Sequence, residues 1–442
     1  MPRRPDDEDG SAVPHSRLSR LAGLGGMAAG IAGDVALHGV RQLAAGKRPK
    51  ASDLFLTPSN AMKLTRQLSQ MRGAAMKIGQ MISMDSGDFL PKEFADILAR
   101  LRADAKHMPR KQLMGVLDTE WGRGWRSRYK SFDMQPIAAA SIGQVHRAKL
   151  PDGTELAIKI QYPGVKDSID SDVKNVAALL RMSGLVPASL DVAPIIEEGR
   201  KQLHQEADYE REASYLGRFT KLLKEHKSFE VPQYYPDIST DKVLAMSFHE
   251  SIPIEDMVSA DQETRDTIIS RLMELTLREL FDFKLMQTDP NFANYRYNET
   301  NEKIVLLDFG ACRDVYTDIS KAYGAVMQAA LANDADAVYE AAIAIGFIPK
   351  DIKPAYRKVI MELITMVLEP LSEDGLFDFG DNTLAQDLRD TAMPLATKRE
   401  LWHIPQPDII FIQRKLGGIY MLATRLKARV DVRGLIERYI PN

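Results

Sequence analysis

Leu64, Leu68, Met71, Ala75, Ile78 and Ile82 recur at alternating steps of four and three, the spacing of one helical face. The stripe predicts a helix over residues 59–85, with Ser59 or Asn60 placed to cap its start. Lys77 and Gln80, three apart, share a face beside it. The period then changes to two. SIGQVHRAKL at 141–150 and TELAIKI at 154–160 alternate around Pro151-Asp152-Gly153 and predict a β-hairpin. In the second strand Leu156, Ile158 and Ile160 point one way, and Ala157 and Lys159 the other. Residues 193–224 read as one helix with charge gathered at Glu206, Asp208, Glu210, Arg211 and Glu212. An apolar strand at 242–248, a helix at 261–284 and an apolar strand at 303–307 follow. From about residue 318 the pattern is helical, with proline breaks near 349, 370, 394 and 405–407.

The chain of 442 residues is long enough for two or three domains. Its 45% hydrophobic and 27% charged residues give an ordinary globular balance, and a net charge of −3 disfavours a general nucleic-acid binder. A single cysteine, Cys312, excludes an intrachain disulfide and a Cys-based zinc site. Residues 1–16 are polar and charged and are expected to be disordered. The apolar run at 21–33 has 13 residues, too short to span a bilayer, which takes about 20. Over 17–45 the small-residue spacings Gly26-x-x-x-Gly30 and Ala29-x-x-x-Gly33, flanked by Arg17, Arg20 and Arg41, fit a helix that lies on a membrane or pairs with another helix. A glycine-weakened helix packed on the domain behind it fits equally. Asp6, Asp7, Glu8 and Asp9 suit neither a secretory signal nor a transit peptide, so the chain is expected to stay where it is made.

Asp289 and Asn294 lie five apart in a loop, and Asp308 ends an apolar strand nineteen residues after Asp289. Phosphoryl transfer needs a carboxylate by the attacking hydroxyl or water, and hard oxygen ligands for magnesium on the phosphates. An Asp-x-x-x-x-Asn loop and a strand ending in Asp308-Phe309-Gly310 supply these groups. Lys159, in Ala157-Ile158-Lys159, stands where a kinase strand lysine reaches the α- and β-phosphates and is held by a helix glutamate. Glu206 and Glu212 both qualify; six apart on one helix they point about 120° from each other, and the pattern does not choose. The order of elements predicts an α+β, protein-kinase-like, two-lobed fold. Two features depart from an ordinary protein kinase. Ala138-Ala139-Ala140-Ser141 puts alanines where a glycine-rich loop is needed for close backbone approach to phosphates. No Ala-Pro-Glu segment follows Gly310, and helical sequence resumes by about Ser320.

Together these residues resemble the UbiB/ADCK atypical kinases, a family whose members support ubiquinone biosynthesis. The resemblance rests on Lys77-Ile78-Gly79-Gln80 (K-x-G-Q), the alanine loop, Lys159, Glu206-Ala207-Asp208 (E-x-D), Glu212, Met286-Gln287-Thr288-Asp289-Pro290-Asn291, Asn294 and Asp308, and covers roughly residues 17–435. Gln287 in place of a histidine, Ala293-Asn294 in place of Gly-Asn, Ile160-Gln161-Tyr162-Pro163-Gly164-Val165 and Lys415-Leu416-Gly417-Gly418 are similar to the mitochondrial branch.

The resemblance implies a membrane-proximal amphipathic helix at 17–50, a family-specific helical extension at 51–135 laid over the active site, a kinase-like N-lobe at 136–248, and a C-lobe with a helical tail at 249–442. By the same resemblance Lys159 would bind nucleotide phosphates and pair with Glu212, Asp289 would be the catalytic carboxylate, and Asn294 and Asp308 would hold magnesium. Ala138, Ala139, Ala140, Ser141, Val145, Ala157 and Met246 would face the nucleotide, with Gln80, Glu206 and Asp208 nearby. Lys77 would act near Glu206 and Asp208 as a lid residue, its loss loosening the helix at little cost to the fold. ATP or ADP and Mg2+ are the expected cofactors. The expected function is that of an atypical kinase or ATPase at a membrane surface in ubiquinone biosynthesis; a Ser/Thr protein kinase and a nucleotide-gated, lipid-binding scaffold for quinone enzymes are the alternatives. Membrane lipid, quinone-pathway precursors and other ubiquinone-biosynthesis enzymes are the expected partners, with a homodimer admitted and no nucleic acid. The expected location is the cytoplasmic face of the inner membrane for a bacterial chain and the mitochondrial matrix face for a eukaryotic one.

Overall fold

The two alternating runs form the centre of a five-stranded sheet. The structure, a computed structural model, describes residues 68, 71–86, 107–183, 192–350, 352–391 apart from 373, 382, 385 and 389, and 407–440. The expected arm at 1–16, the expected amphipathic helix at 17–50 and much of the 51–135 extension lie outside the described residues. The chain divides into two compact units, residues 1–217 with 233–248, and residues 218–232 with 249–442.

In the first unit Gly143–Lys149 pairs antiparallel with Glu155–Gln161, Val145 facing Lys159 in register. Gly153 takes a left-handed φ of +95° in the turn, where the Thr154 N–H donates to the Asp152 carboxylate at 2.9 Å. Val243–Ser247 pairs on the other side of Glu155–Gln161, so that Leu244 faces Lys159 and Met246 faces Ala157. Ser131–Phe132 and Ala138–Ala139 pair with Gly143–Lys149. Leu156, Ile158 and Ile160 are buried with Leu113 and Leu117 of the helix Arg110–Trp121 and with Trp125 and Tyr129. The other face of the sheet carries Leu244 into a second cluster with Met71, Ala75, Ile78, Val173 and Leu203. Those residues line the helices Arg72–Ser86, Val165–Ser183 and Ala193–Glu206 and the turn that precedes the first of them. The stripe at Leu68, Met71, Ala75 and Ile78 is buried, as its spacing requires. The start of the helix predicted over 59–85 lies outside the described residues.

The helix expected over 193–224 is two helices, Ala193–Glu206 and Tyr209–Leu222. The break has its own hydrogen bonds. The Ala207 carbonyl accepts from Gln161 Nε2 at 3.0 Å instead of continuing the helical ladder. The Asp208 carboxylate accepts from the Arg211 N–H at 3.0 Å and caps the second helix. Glu206 and Glu212 therefore do not share a helix and are not held to the separation of about 120° of a continuous one.

In the second unit a four-stranded sheet runs in the order Phe229–Glu230, Lys303–Leu306, Tyr295–Asn298, Ile252–Pro253, and Leu285–Gln287 pairs separately with Cys312–Asp314. Asp261 caps the helix Gln262–Arg278 by accepting from the Thr264 N–H at 2.8 Å. The 261–284 prediction runs past this helix into a π-helical turn, Glu279–Phe283, ended by Lys284 at a left-handed φ of 51°. Helices Thr317–Leu331, Ala335–Ala344, Pro354–Ser372, Pro407–Leu426 and Val432–Glu437 complete the described part. Pro370 sits inside the last turn of Pro354–Ser372, where it removes one helical hydrogen bond just before the helix stops. Pro394 and Pro405 lie outside the described residues, and Pro407 opens a helix, where its missing N–H costs nothing. No helix among the described residues is long and apolar enough to cross a membrane.

One buried polar chain ties the first unit's sheet together. Gln144 accepts from the Met108 N–H at 2.9 Å through Oε1, and its Nε2 meets His146 Nε2 at 2.7 Å. His146 Nδ1 meets the Asp133 carbonyl at 2.7 Å. These contacts are satisfied together when His146 is neutral with its proton on Nδ1. Burial lowers its pKa from 6.5 to about 4. Between those values the unfolded chain binds a proton that the folded chain refuses, so the contribution of His146 to stability is complete above pH 6.5 and is lost toward pH 4. The loss amounts to about 3 kcal/mol across the window. Urea denaturation at pH 7 and pH 5 is expected to show a shallower pH dependence for His146→Gln than for the unsubstituted chain.

Candidate active site

Lys159 lies on a strand paired on both sides, which fixes its backbone. Its Nζ sits 2.9 and 2.8 Å from the two carboxylate oxygens of Glu212 and 5.3 Å from the centre of the Tyr209 ring. Lys159 is 7% exposed and Glu212 2%, so each ion depends on the other to offset its lost hydration. Of the two glutamates the sequence left open, the structure pairs Glu212 with Lys159. Glu206 instead lies 2.6 Å from Lys77. The break at Ala207 makes this division: Glu206 ends one helix, Glu212 lies in the first turn of the next, and Asp208 between them is the cap.

Ala138 and Ala139 face Val145 and Gln144 across a short strand pair and are exposed. The Ala140 N–H donates to the Gly143 carbonyl at 2.9 Å. The tip of this loop is covered: Ile142 is buried in the cluster with Met71, Ala75 and Ile78. A Cβ on Gly73 would stand 2.6 Å from the Ser141 carbonyl oxygen, so the helix Arg72–Ser86 rests against the loop backbone at the one residue that permits it. Lys77 and Gln80 follow on the same helix. Val145, Ala157 and Met246 are half-buried on the sheet, and Met246 also bridges to Tyr234.

In the second unit the loop 289–294 is held by its own turns. Asp289 accepts from the Asn291 N–H at 3.2 Å, and Asn291 accepts from the Ala293 N–H at 3.1 Å. Asn294 ends a 3-10 turn, and its carbonyl accepts from the Leu307 N–H at 2.8 Å. Gln287 Nε2 donates to the carbonyls of Leu307 and Asp308, both at 2.6 Å. These bonds fasten the end of the apolar strand to the loop, bringing Asp289, Asn294 and Asp308 into one region. Asp308 takes a left-handed φ of 58°, and its carboxylate accepts from the Gly310 N–H at 3.1 Å. Aspartate tolerates that region because its short side chain bonds locally. Phe309 packs on Phe219 with ring centres 5.0 Å apart. Among the described residues no three His, Cys, Asp or Glu side chains gather into a metal cage. One carboxylate and one carboxamide suit a magnesium ion that keeps waters and takes its other ligands from phosphates.

Three residues to which the sequence assigned no site role do structural service here: Gly73 at the loop, Gln161 at the helix break and Gln287 at the strand end. Gly73 carried a signal, a glycine inside an apolar helical stripe. Gln161 and Gln287 carried none of this kind, because their partners are backbone atoms distant in the chain.

Lys77 is 4% exposed, so its removal is not cheap as expected from the sequence: it strands Glu206. Lys77→Ala is expected to cost about 3 kcal/mol. The double variant Lys77→Ala/Glu206→Ala is expected to recover part of that loss, because no half-buried carboxylate is then left without its cation; a double-mutant cycle in urea measures the difference.

Residues 100–342 match the family described as the ABC1 atypical kinase-like domain. The mitochondrial atypical kinase COQ8 of Saccharomyces cerevisiae is 39% identical over 97% of this chain and 85% of its own length. The mitochondrial atypical kinase COQ8B of Rattus norvegicus is 38% identical over 96% of this chain and 80% of its own. Among solved structures, Rv3197 of Mycobacterium tuberculosis, in complex with erythromycin, aligns with a TM-score of 0.62 at 26% identity, covering 87% of this chain and 96% of that one. The architecture is accordingly α+β and kinase-like, and with the family matched over more than half its length the chain belongs to the ABC1 atypical kinases and is an enzyme of that class.

Proposed function

We propose that this atypical kinase uses Mg-ATP at a membrane surface in support of ubiquinone biosynthesis, releasing phosphate rather than modifying a protein in trans. The observation that carries the reading is the buried Lys159–Glu212 pair on the central strand. A cation held at a fixed height above a sheet is what binding α- and β-phosphates requires. In this reading Asp289 accepts the proton of the attacking water or hydroxyl, and Asn294 and Asp308 hold the magnesium ion. Magnesium, when bound, neutralises phosphate charge. Ala138, Ala139, Ala140, Ser141, Val145, Ala157 and Met246 form the nucleotide-facing surface, and Gln80, Glu206 and Asp208 act with Lys77 at its edge.

A Ser/Thr protein kinase reading is less well supported. After Gly310 the chain forms the strand Cys312–Asp314 and enters the helix Thr317–Leu331, which leaves no length for a segment on which a peptide docks. The ubiquinone pathway, its enzymes and precursors as partners, and membrane lipid come from the resemblance to the mitochondrial COQ8 kinases. The mitochondrial names of those relatives favour the matrix face over the bacterial inner membrane as the location.

Asp308→Asn tests the metal role without backbone strain, since asparagine also accepts a left-handed φ. It is expected to fold normally and to lower magnesium-dependent phosphate release on the order of 10²-fold. A phosphate-release assay with a magnesium titration reads this. Deleting residues 1–49 is expected to reduce co-flotation with anionic liposomes while the two units keep their unfolding transitions; flotation and calorimetry of both chains are the measurements.

A further inference from the structure

Lys415, Glu279 and Tyr295 form a charged knot in the second unit that no role above uses. Each is about 1% exposed. Lys415 Nζ lies 3.1 Å from Glu279 Oε2 and donates to the Tyr295 hydroxyl at 2.7 Å. Burial pushes the Glu279 carboxyl and the Tyr295 hydroxyl up. Burial also works against the Lys415 ammonium, but Glu279 and Tyr295 more than offset it and hold its pKa above the usual range. Buried ions of this kind seldom add net stability over well-packed apolar residues, and their use lies in what they touch.

They touch the loop that bears Asp289 and Asn294. Glu279 Oε1 accepts from the Gln287 N–H at 3.4 Å, two residues before Asp289. Tyr295 directly follows Asn294. Gly418 lies three residues beyond Lys415 in the helix Pro407–Leu426, where a Cβ would stand 2.6 Å from Pro290 Cβ and 3.3 Å from its Cα and carbonyl oxygen. The entry, middle and exit of the loop are thus each held by this helix or by the glutamate paired with it. Glu279 begins a π-helical turn, a geometry that recurs at functional sites. The neighbouring Gly417 is exposed, and a Cβ there would meet nothing within 4 Å.

We propose that Lys415, Glu279, Tyr295 and Gly418 are positioning residues that set the loop 289–294 for phosphoryl transfer, an inference that rests on the reading of that loop given above. Displacing a reacting group by about 1 Å can cost on the order of 10²-fold in rate.

The paired substitutions Gly418→Ala and Gly417→Ala separate positioning from helix stability, because both improve helix propensity and only the first meets Pro290. Gly417→Ala is expected to keep the kcat of phosphate release from Mg-ATP and the amide exchange of residues 288–295. Gly418→Ala is expected to lower kcat by about tenfold or more, with KM for ATP at saturating magnesium within about threefold, and to speed exchange across 288–295. Lys415→Met/Glu279→Leu, which replaces the pair without leaving a lone charge, is expected to fold and to show the same loss of kcat. If the unsubstituted protein releases no phosphate from Mg-ATP, the ATPase reading falls, and hydrogen exchange alone decides the positioning role. Equal kcat and equal exchange in Gly418→Ala and Gly417→Ala would overturn it.

Discussion

The first unit turns on a carbonyl that leaves its helix. Because Gln161 Nε2 takes the Ala207 oxygen, the helix Ala193–Glu206 stops, and Asp208 starts another. Glu206 and Glu212 are thereby set against different lysines, Lys77 and Lys159. Without the break, Glu206 and Glu212 would point about 120° apart on one helix, and a buried ion left without a partner costs several kcal/mol. The strand lysine and the lysine of the early helix therefore depend on the same amide side chain, which itself sits two residues beyond Lys159 on the strand.

The second unit meets an equivalent problem by a similar means. Gln287 gives both amide protons to carbonyls at the end of the apolar strand, where Asp308 adopts a backbone geometry unusual for a side-chain-bearing residue. In both units a buried glutamine amide satisfies backbone oxygens where regular structure stops. The charged groups are then placed by neutral ones, whose bonds do not change with pH.

The hairpin, the buried stripe from Leu68 to Ile78 and the kinase-like order of elements were legible in the sequence because each rests on local periodicity or turn chemistry. The break at Ala207 was not. Glu206-Ala207-Asp208 contains no proline or glycine, Ala and Glu are good helix formers, and the group that ends the helix lies 46 residues away. The partner of Lys159 followed from the family resemblance but not from helical geometry, which assumed a single helix. The seat of Arg72–Ser86 on the Ser141 carbonyl depends on a missing Cβ at Gly73, and such an absence shows its meaning only when the facing backbone is known. The buried cost of Lys77 was likewise invisible, since spacing alone reads a lysine beside a stripe as solvated.

Cys312 is the only thiol in the chain, it is fully buried, and it stands opposite Gln287 in a short strand pair. Thiol reagents attack the thiolate and need access to it, so the native chain resists them until that strand pair parts. The rate of modification of one sulfur atom then reports how often the strand beneath the loop 289–294 opens. The chain carries its own gauge of local unfolding beneath the loop proposed to carry its chemistry, with no cysteine to be engineered and no second one to confuse the reading.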